Sequence, residues 1–251
     1  MYRLFLLIIL FTGEWPLIVA QTSDTLSVLF VGNSYTYFWN LPQSVAALAE
    51  SQALPVRIRQ STAGGVNLGQ HWRGEKELAT RQKITHGNYD IVVLQDHSRQ
   101  SVDHPDSLRL YMQQLIDLAR AHGSRPLLYM TWPRQWDPFM MEPIAQAYHQ
   151  LSQRHETMLA PVGEAWKMAR QMRPELQLYD PDGSHPSPSG TYLTACVMYA
   201  VLFDRSPLGL PDRITTLDRH GEKLYLNIQT PEDATFLQKV AQQALEAAST
   251  R

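Results

Sequence analysis

The stretch Ser27-Val28-Leu29-Phe30-Val31-Gly32-Asn33-Ser34-Tyr35-Thr36 decides the fold. Its β-branched and aromatic run stops at a glycine, the pattern of a strand buried in a parallel sheet. A polar cluster follows, and helical spacing begins near Leu41-Pro42. Ser34 therefore falls where a strand hands over to a helix. In open α/β sheets that junction faces the crevice outside the carboxyl ends of the strands, where helix N-termini leave N–H groups free for an anion. A serine there is a candidate nucleophile. Gly-Asn-Ser is also common turn composition, so its partners must be sought elsewhere in the chain.

Outward from this stretch, strands and helices alternate. Leu41, Val45, Leu48 and Ala49 recur at helical spacing, Pro55–Arg59 reads as a second strand, and Ser61-Thr62-Ala63-Gly64-Gly65 breaks it. A polar, partly helical segment runs to about His86. Tyr89–Leu94, Pro126–Met130 and Met158–Val162 read as three more strands, the last with a proline that favours a sheet edge. Between them lie helices marked by Leu108, Met112, Leu115 and Ala119, and by Phe139, Ile144, Tyr148 and Leu151. Glu164 to about Met172, Pro188 to about Phe203, and a final segment from Thr230 are also helical. Five strands alternating with helices predict an α/β fold with a mainly parallel five-stranded sheet covered on both faces. The segment from Leu208 to Thr230 fits no such unit and has room for a short hairpin. No linker divides the chain, so residues 21–251 read as a single domain.

Residues 1–20 stand apart. Arg3 precedes the apolar run Leu4–Phe11, and Val19-Ala20 offers a cleavage site, which is the layout of a secretory signal peptide. The expected location is secreted or periplasmic, with no membrane span after cleavage, because no second apolar stretch reaches bilayer length. The 251 residues carry a formal charge of -2, which signals no basic face for nucleic acid. The single cysteine, Cys196, lies in an apolar helical stretch and reads as a buried small hydrophobe. Asp96, His97 and Asp180 lack the regular spacing of a metal site, so no metal and no cofactor are expected.

The second informative stretch is Asp180-Pro181-Asp182-Gly183-Ser184-His185-Pro186-Ser187. Its glycine and prolines make it a loop with fixed turns. Asp182 and His185 together supply a carboxylate and an imidazole from one short segment. Serine chemistry needs both: a base beside the hydroxyl and a carboxylate that orients the base. The Gly-x-Ser-x-Gly elbow of the α/β-hydrolases is absent around Ser34.

With these two blocks in this order on an α/β chain, the sequence resembles the SGNH hydrolases, the GDSL-type lipase and esterase superfamily. Gly32-Asn33-Ser34 looks like its nucleophile block, and Asp182-Gly183-Ser184-His185-Pro186-Ser187 looks like its Asp-x-x-His block. The resemblance implies a three-layer α/β/α sandwich of flavodoxin-like type. It implies Ser34 as nucleophile, His185 as general base and acid, and Asp182 as orienting carboxylate. It also implies an oxyanion hole from the Ser34 N–H, the Gly65 (or Gly64) N–H and a side-chain amide. The superfamily commonly has Gly-x-Asn-Asp at the third position, where this chain has Leu94-Gln95-Asp96-His97-Ser98, so Gln95 is the expected amide donor.

Trp132, Arg134 and Trp136 follow the fourth strand, and with His71 they are candidate substrate-binding residues. Tryptophans suit stacking on a sugar ring, and Arg134 suits a carboxylate or polar oxygens. The expected function is a secreted serine esterase that removes acyl groups, O-acetyl above all, from a small-molecule or glycan ester. A lysophospholipase or an acyltransferase would use the same residues. A carbohydrate-binding module on a hydrolase scaffold is the alternative outside enzymes.

Overall fold

A computed structural model of the chain describes residues 25–249. The expected signal segment, residues 1–20, lies outside the described residues. The main sheet has five strands: β1 (Leu26–Gly32), β2 (Val56–Thr62), β3 (Ile91–Leu94), β4 (Arg125–Tyr129) and β5 (Met158–Ala160). All neighbours are parallel, in the order β2-β1-β3-β4-β5. This is the flavodoxin-like order, whose switch point lies at the carboxyl ends of β1 and β3.

The helices are α1 (Ser34–Tyr37), α2 (Leu41–Ser51), α3 (Leu68–Arg73), α4 (Thr80–His86), α5 (Gln100–Asp103), α6 (Pro105–Ala121), α7 (Met141–His155), α8 (Val162–Met172), α9 (Pro188–Phe203) and α10 (Pro231–Ser249). Strand alternation sorts them into two layers. Val28, Phe30, Ile91, Val93, Leu127 and Tyr129 face a core built with α2, α8, α9 and α10. Leu29, Val31, Val92, Leu94 and Leu128 face a second core built with α3, α4, α6 and α7. Together they make the α/β/α sandwich.

Helix α9 is apolar on all sides, because it lies buried among α2, α8 and α10. Cys196 is buried in it, and burial pushes its thiol well above the usual range. A thiol held protonated in this way is inert.

Local differences from the sequence expectations have physical causes. Strand β2 runs on to Thr62, through residues expected to break it, because all seven of its residues pair with β1. Strand β5 is an edge strand that ends at Ala160. Pro161 serves there as the entry to α8, which begins at Val162 rather than Glu164. Helices α1 and α5 have four residues each, too short to show a period. The segment after Leu208 contains the antiparallel hairpin β6 (Arg213–Leu217) and β7 (Lys223–Ile228).

Helix α9 enters the fold by a close approach at Gly190. A β-carbon there would stand 2.2 Å from the Leu178 carbonyl oxygen and 2.6 Å from the Trp166 ring. Gly190→Ala is therefore expected to cost roughly 1–3 kcal/mol through overpacking. Chemical denaturation checks this, and unchanged stability would rule out so tight a contact.

Candidate active site

Ser34 opens α1 directly after β1. Asn33 sits in extended backbone as the cap, and its side chain accepts from the Tyr35 N–H at 3.0 Å. The same side chain donates to the Val66 carbonyl at 2.9 Å, which fixes the turn against the loop after β2. As the first residue of the helix, Ser34 has an N–H without an intrahelical acceptor.

The loop before α9 comes from the opposite end of the chain. It is closed by an N–H of Asp180 donating to the His185 carbonyl at 2.9 Å, and Ser187 caps α9 through the Gly190 N–H. Inside it, one oxygen of Asp182 accepts from the N–H groups of Ser184 and His185, both at 2.9 Å. Its other oxygen meets His185 Nδ1 at 2.5 Å. His185 Nε2 then lies 2.8 Å from Ser34 Oγ. Ser34, His185 and Asp182 thus stand in one hydrogen-bonded row. Burial pulls the Asp182 carboxyl upward, but the bonds from His185 and the two N–H groups outweigh it and hold the group below its ordinary range. The Phe38 ring stacks on the imidazole at 4.1 Å. No sequence signal marks this role, because the contact arises only from the fold.

The row opens into a cavity of about 360 Å³ whose lining includes Ser34, Gly64, Gly65, His97, Ser98 and Arg134. Gly65 has φ +68°, a backbone conformation that favours glycine. Arg134 donates to Ser98 Oγ at 2.9 Å and to Ser184 Oγ.

Four expected site residues have other positions. Gln95 does not line the cavity. Its amide oxygen accepts from the Asn33 N–H at 2.8 Å and from the Thr36 hydroxyl at 2.9 Å, and its NH₂ donates to the Asp96 carbonyl. The longer side chain folds back beneath the serine turn, so Gln95 braces the turn rather than offering an oxyanion donor. Trp132 is fully buried and stacked between Tyr35 (4.6 Å) and Trp166 (3.9 Å), so neither face is free for a sugar. His71 is also buried, with Nδ1 2.7 Å from Thr80 Oγ1 and Nε2 3.0 Å from the Gly32 carbonyl. It ties α3 to the end of β1 and does not reach the cavity. Burial lowers its pKa to about 4, so it is neutral. Trp136 is 65% exposed, packs against Gly183, and lies outside the cavity lining.

A second cavity of about 430 Å³ lies beside Trp166, with Pro133, Phe139, Lys167 and Arg170 in its wall, and it holds none of the Ser34–His185–Asp182 row. Among the described residues, no group of three or more His, Cys, Asp or Glu side chains is placed to hold a metal ion. Asp96 is instead buried with one oxygen accepting from the Leu68 and His97 N–H groups.

The fold matches known structures. A candidate SGNH hydrolase from Slackia heliotrinireducens shares 26% identity at a TM-score of 0.62, over 71% of this chain and 100% of that one. A DUF4886 family protein from Bacteroides uniformis aligns at TM-score 0.73 with 18% identity, over 89% of this chain and 95% of that one. An acetyl xylan esterase aligns at TM-score 0.59 with 14% identity, over 70% and 98% of the two chains. No protein-family model and no curated protein matches the chain. The fold is that of the SGNH, or GDSL-type, hydrolases. Esterases and a GDSL-like lipase are among the structures that share this fold.

Two expectations follow for the side chains beneath the site. Gln95→Ala leaves the buried Asn33 N–H without its acceptor, which costs roughly 1–3 kcal/mol. Denaturant unfolding checks this; a fall in kcat at unchanged stability would return Gln95 to the oxyanion hole. The second concerns pH. Burial raises the Asp96 carboxyl to about 7, against the pull of its two N–H bonds. The folded chain therefore holds a proton that the unfolded chain releases at roughly pH 4. The stability so gained is complete below that pH and is lost as pH rises through about 7. Asp96→Asn keeps an acceptor oxygen and cannot ionise, so between pH 5 and pH 8 its melting temperature should fall less than that of the wild type. Parallel pH profiles would remove the effect.

Proposed function

We propose that the protein is a secreted serine esterase that hydrolyses O-acetyl esters on carbohydrates, with Ser34, His185 and Asp182 as its catalytic triad. The observation that carries the chemistry is the unbroken row of two hydrogen bonds, 2.8 Å and 2.5 Å, from Ser34 Oγ through the imidazole to Asp182. His185 Nε2 accepts the Ser34 proton as Oγ attacks the ester carbonyl. Asp182 keeps Nδ1 protonated and stabilises the imidazolium. The tetrahedral oxyanion is met by the N–H groups of Ser34 and Gly65, and preorganised donors of this kind are worth roughly 2.7–4 kcal/mol each. His185 then protonates the departing alcohol, and water releases the acyl group by the same steps in reverse order.

The substrate assignment rests on the cavity. It is small, and its lining combines serine hydroxyls, two imidazoles and backbone with the rings of Tyr35, Tyr37 and Phe38. That suits a short acyl group on a polar alcohol better than a long alkyl chain. The same scaffold carries an acetyl xylan esterase. Export is proposed from Arg3 and the apolar run Leu4–Phe11, and the mature chain would begin at Gln21.

Ser34→Ala is expected to abolish ester turnover while melting is unchanged, with any residue of activity roughly 10³-fold above water. Wild-type rates in the purified variant would overturn the triad. A chain-length series of nitrophenyl esters, run beside acetate release from acetylated xylan, tests the substrate. Rates should fall from acetyl to octanoyl; rates that climb, with no acetate released from any glycan, would favour a lipase.

A further inference from the structure

Arg134 enters the cavity wall from the loop after β4 and is half-buried there. Its guanidinium bonds to two serine hydroxyls, Ser98 Oγ and Ser184 Oγ. It lies 5.8 Å from the centre of the Tyr35 ring and 5.7 Å from that of Trp136. All four partners are neutral. Arg73, Arg99, Arg109 and Arg173 each have a carboxylate within 4.0 Å, whereas Arg134 has none among the described residues. Its Nε is buried without a hydrogen-bond partner.

The rest of the lining leaves this charge uncompensated. Among the described residues no Asp, Glu or Lys lines the cavity, so within them Arg134 carries its only permanent charge. His97 stands in the same wall, and burial, followed by the field of Arg134, lowers its pKa. It is therefore no second cation at neutral pH. Removing a guanidinium from water without a counterion is costly, and hydroxyl partners recover only part of that cost. The planar fork beside two rotatable hydroxyls is a suitable receptor for a carboxylate: N–H groups donate to its oxygens, and Ser98 and Ser184 can turn their protons toward it. Ser184 is also the residue before His185, so an anion held at Arg134 lies beside the reacting ester.

We infer that Arg134 determines specificity by binding a carboxylate on the substrate, so that the preferred substrate is an anionic ester, with an acetylated acidic sugar as its glycan form. This rests on the esterase function proposed above. The carboxylate belongs either to the alcohol or to the acyl part of the ester, and the two are separable by choice of substrate.

The test compares three nitrophenyl esters on the full-length protein: neutral para-nitrophenyl acetate, an acetoxy-nitrobenzoate with its carboxylate on the alcohol side, and mono-para-nitrophenyl succinate with its carboxylate on the acyl side. In the wild type, kcat/KM for one carboxylate ester relative to the neutral ester should decline with added salt. In Arg134→Gln that ratio should fall by roughly 30-fold or more, and Arg134→Lys should recover part of it. The salt series needs no variant, so it decides the matter even if Arg134→Gln fails to fold. Turnover of all three esters with a salt-independent ratio would overturn the inference and leave the esterase standing. No turnover of any of the three by the intact protein would remove the esterase and this inference together.

Discussion

The bond from the Asn33 N–H to the Gln95 carboxamide, 2.8 Å long, holds the ends of the two central strands at one spacing. Strands β1 and β3 are parallel neighbours, and their chains diverge just beyond Gly32 and Leu94. At that point the sheet ladder runs out and backbone donors need other partners. Gln95 supplies one from the side, while His71 takes the Gly32 carbonyl from below at 3.0 Å. Gly32 has no room for a side chain, since a β-carbon would stand 2.3 Å from Gln95 Oε1. The position of Ser34 is thus set by buried neutral hydrogen bonds rather than by its own contacts in the cavity.

The other half of the site is positioned by aromatic packing. Tyr35, Trp132 and Trp166 come from three separate segments and stack in nearly parallel planes. The Trp132 indole N–H donates to the Ser184 carbonyl at 3.1 Å, and the Tyr35 hydroxyl meets Ser184 Oγ at 2.8 Å. Buried tyrosine and tryptophan need partners for their polar atoms. For Tyr35 and Trp132 those partners belong to the loop that carries Asp182 and His185, while the Trp166 indole N–H donates to Thr194 Oγ1 in α9. Satisfying Tyr35 and Trp132 and placing the base are therefore one arrangement.

Much of this was legible in the sequence, for definite reasons. Strands β1 and β3 are buried on both faces, so they appear as unbroken apolar runs, and the serine turn follows from the end of β1. The Asp182–His185 pair is local, so its spacing alone suggests its geometry. Gln95, His71 and Trp132 misled because sequence shows what a side chain is able to donate or stack upon, but not the direction it faces. Gln95 points down into the turn, and both faces of Trp132 are taken. Phe38 left no trace, since its stacking on His185 joins residues far apart in the chain.

The two bonds of the candidate triad differ greatly in reach. His185 and Asp182 are three residues apart, whereas His185 and Ser34 are separated by 151. Closing a short loop costs far less entropy than closing a long one, so the imidazole–carboxylate pair can form in a chain that has no tertiary structure. The contact with Ser34 exists only when β1 and α9 have assembled around a common core. An unfolded chain therefore carries an isolated serine, and the Ser34–His185 contact forms only once β1 and the loop before α9 have come together. The candidate triad as a whole is a property of the assembled fold, although its shorter half is not.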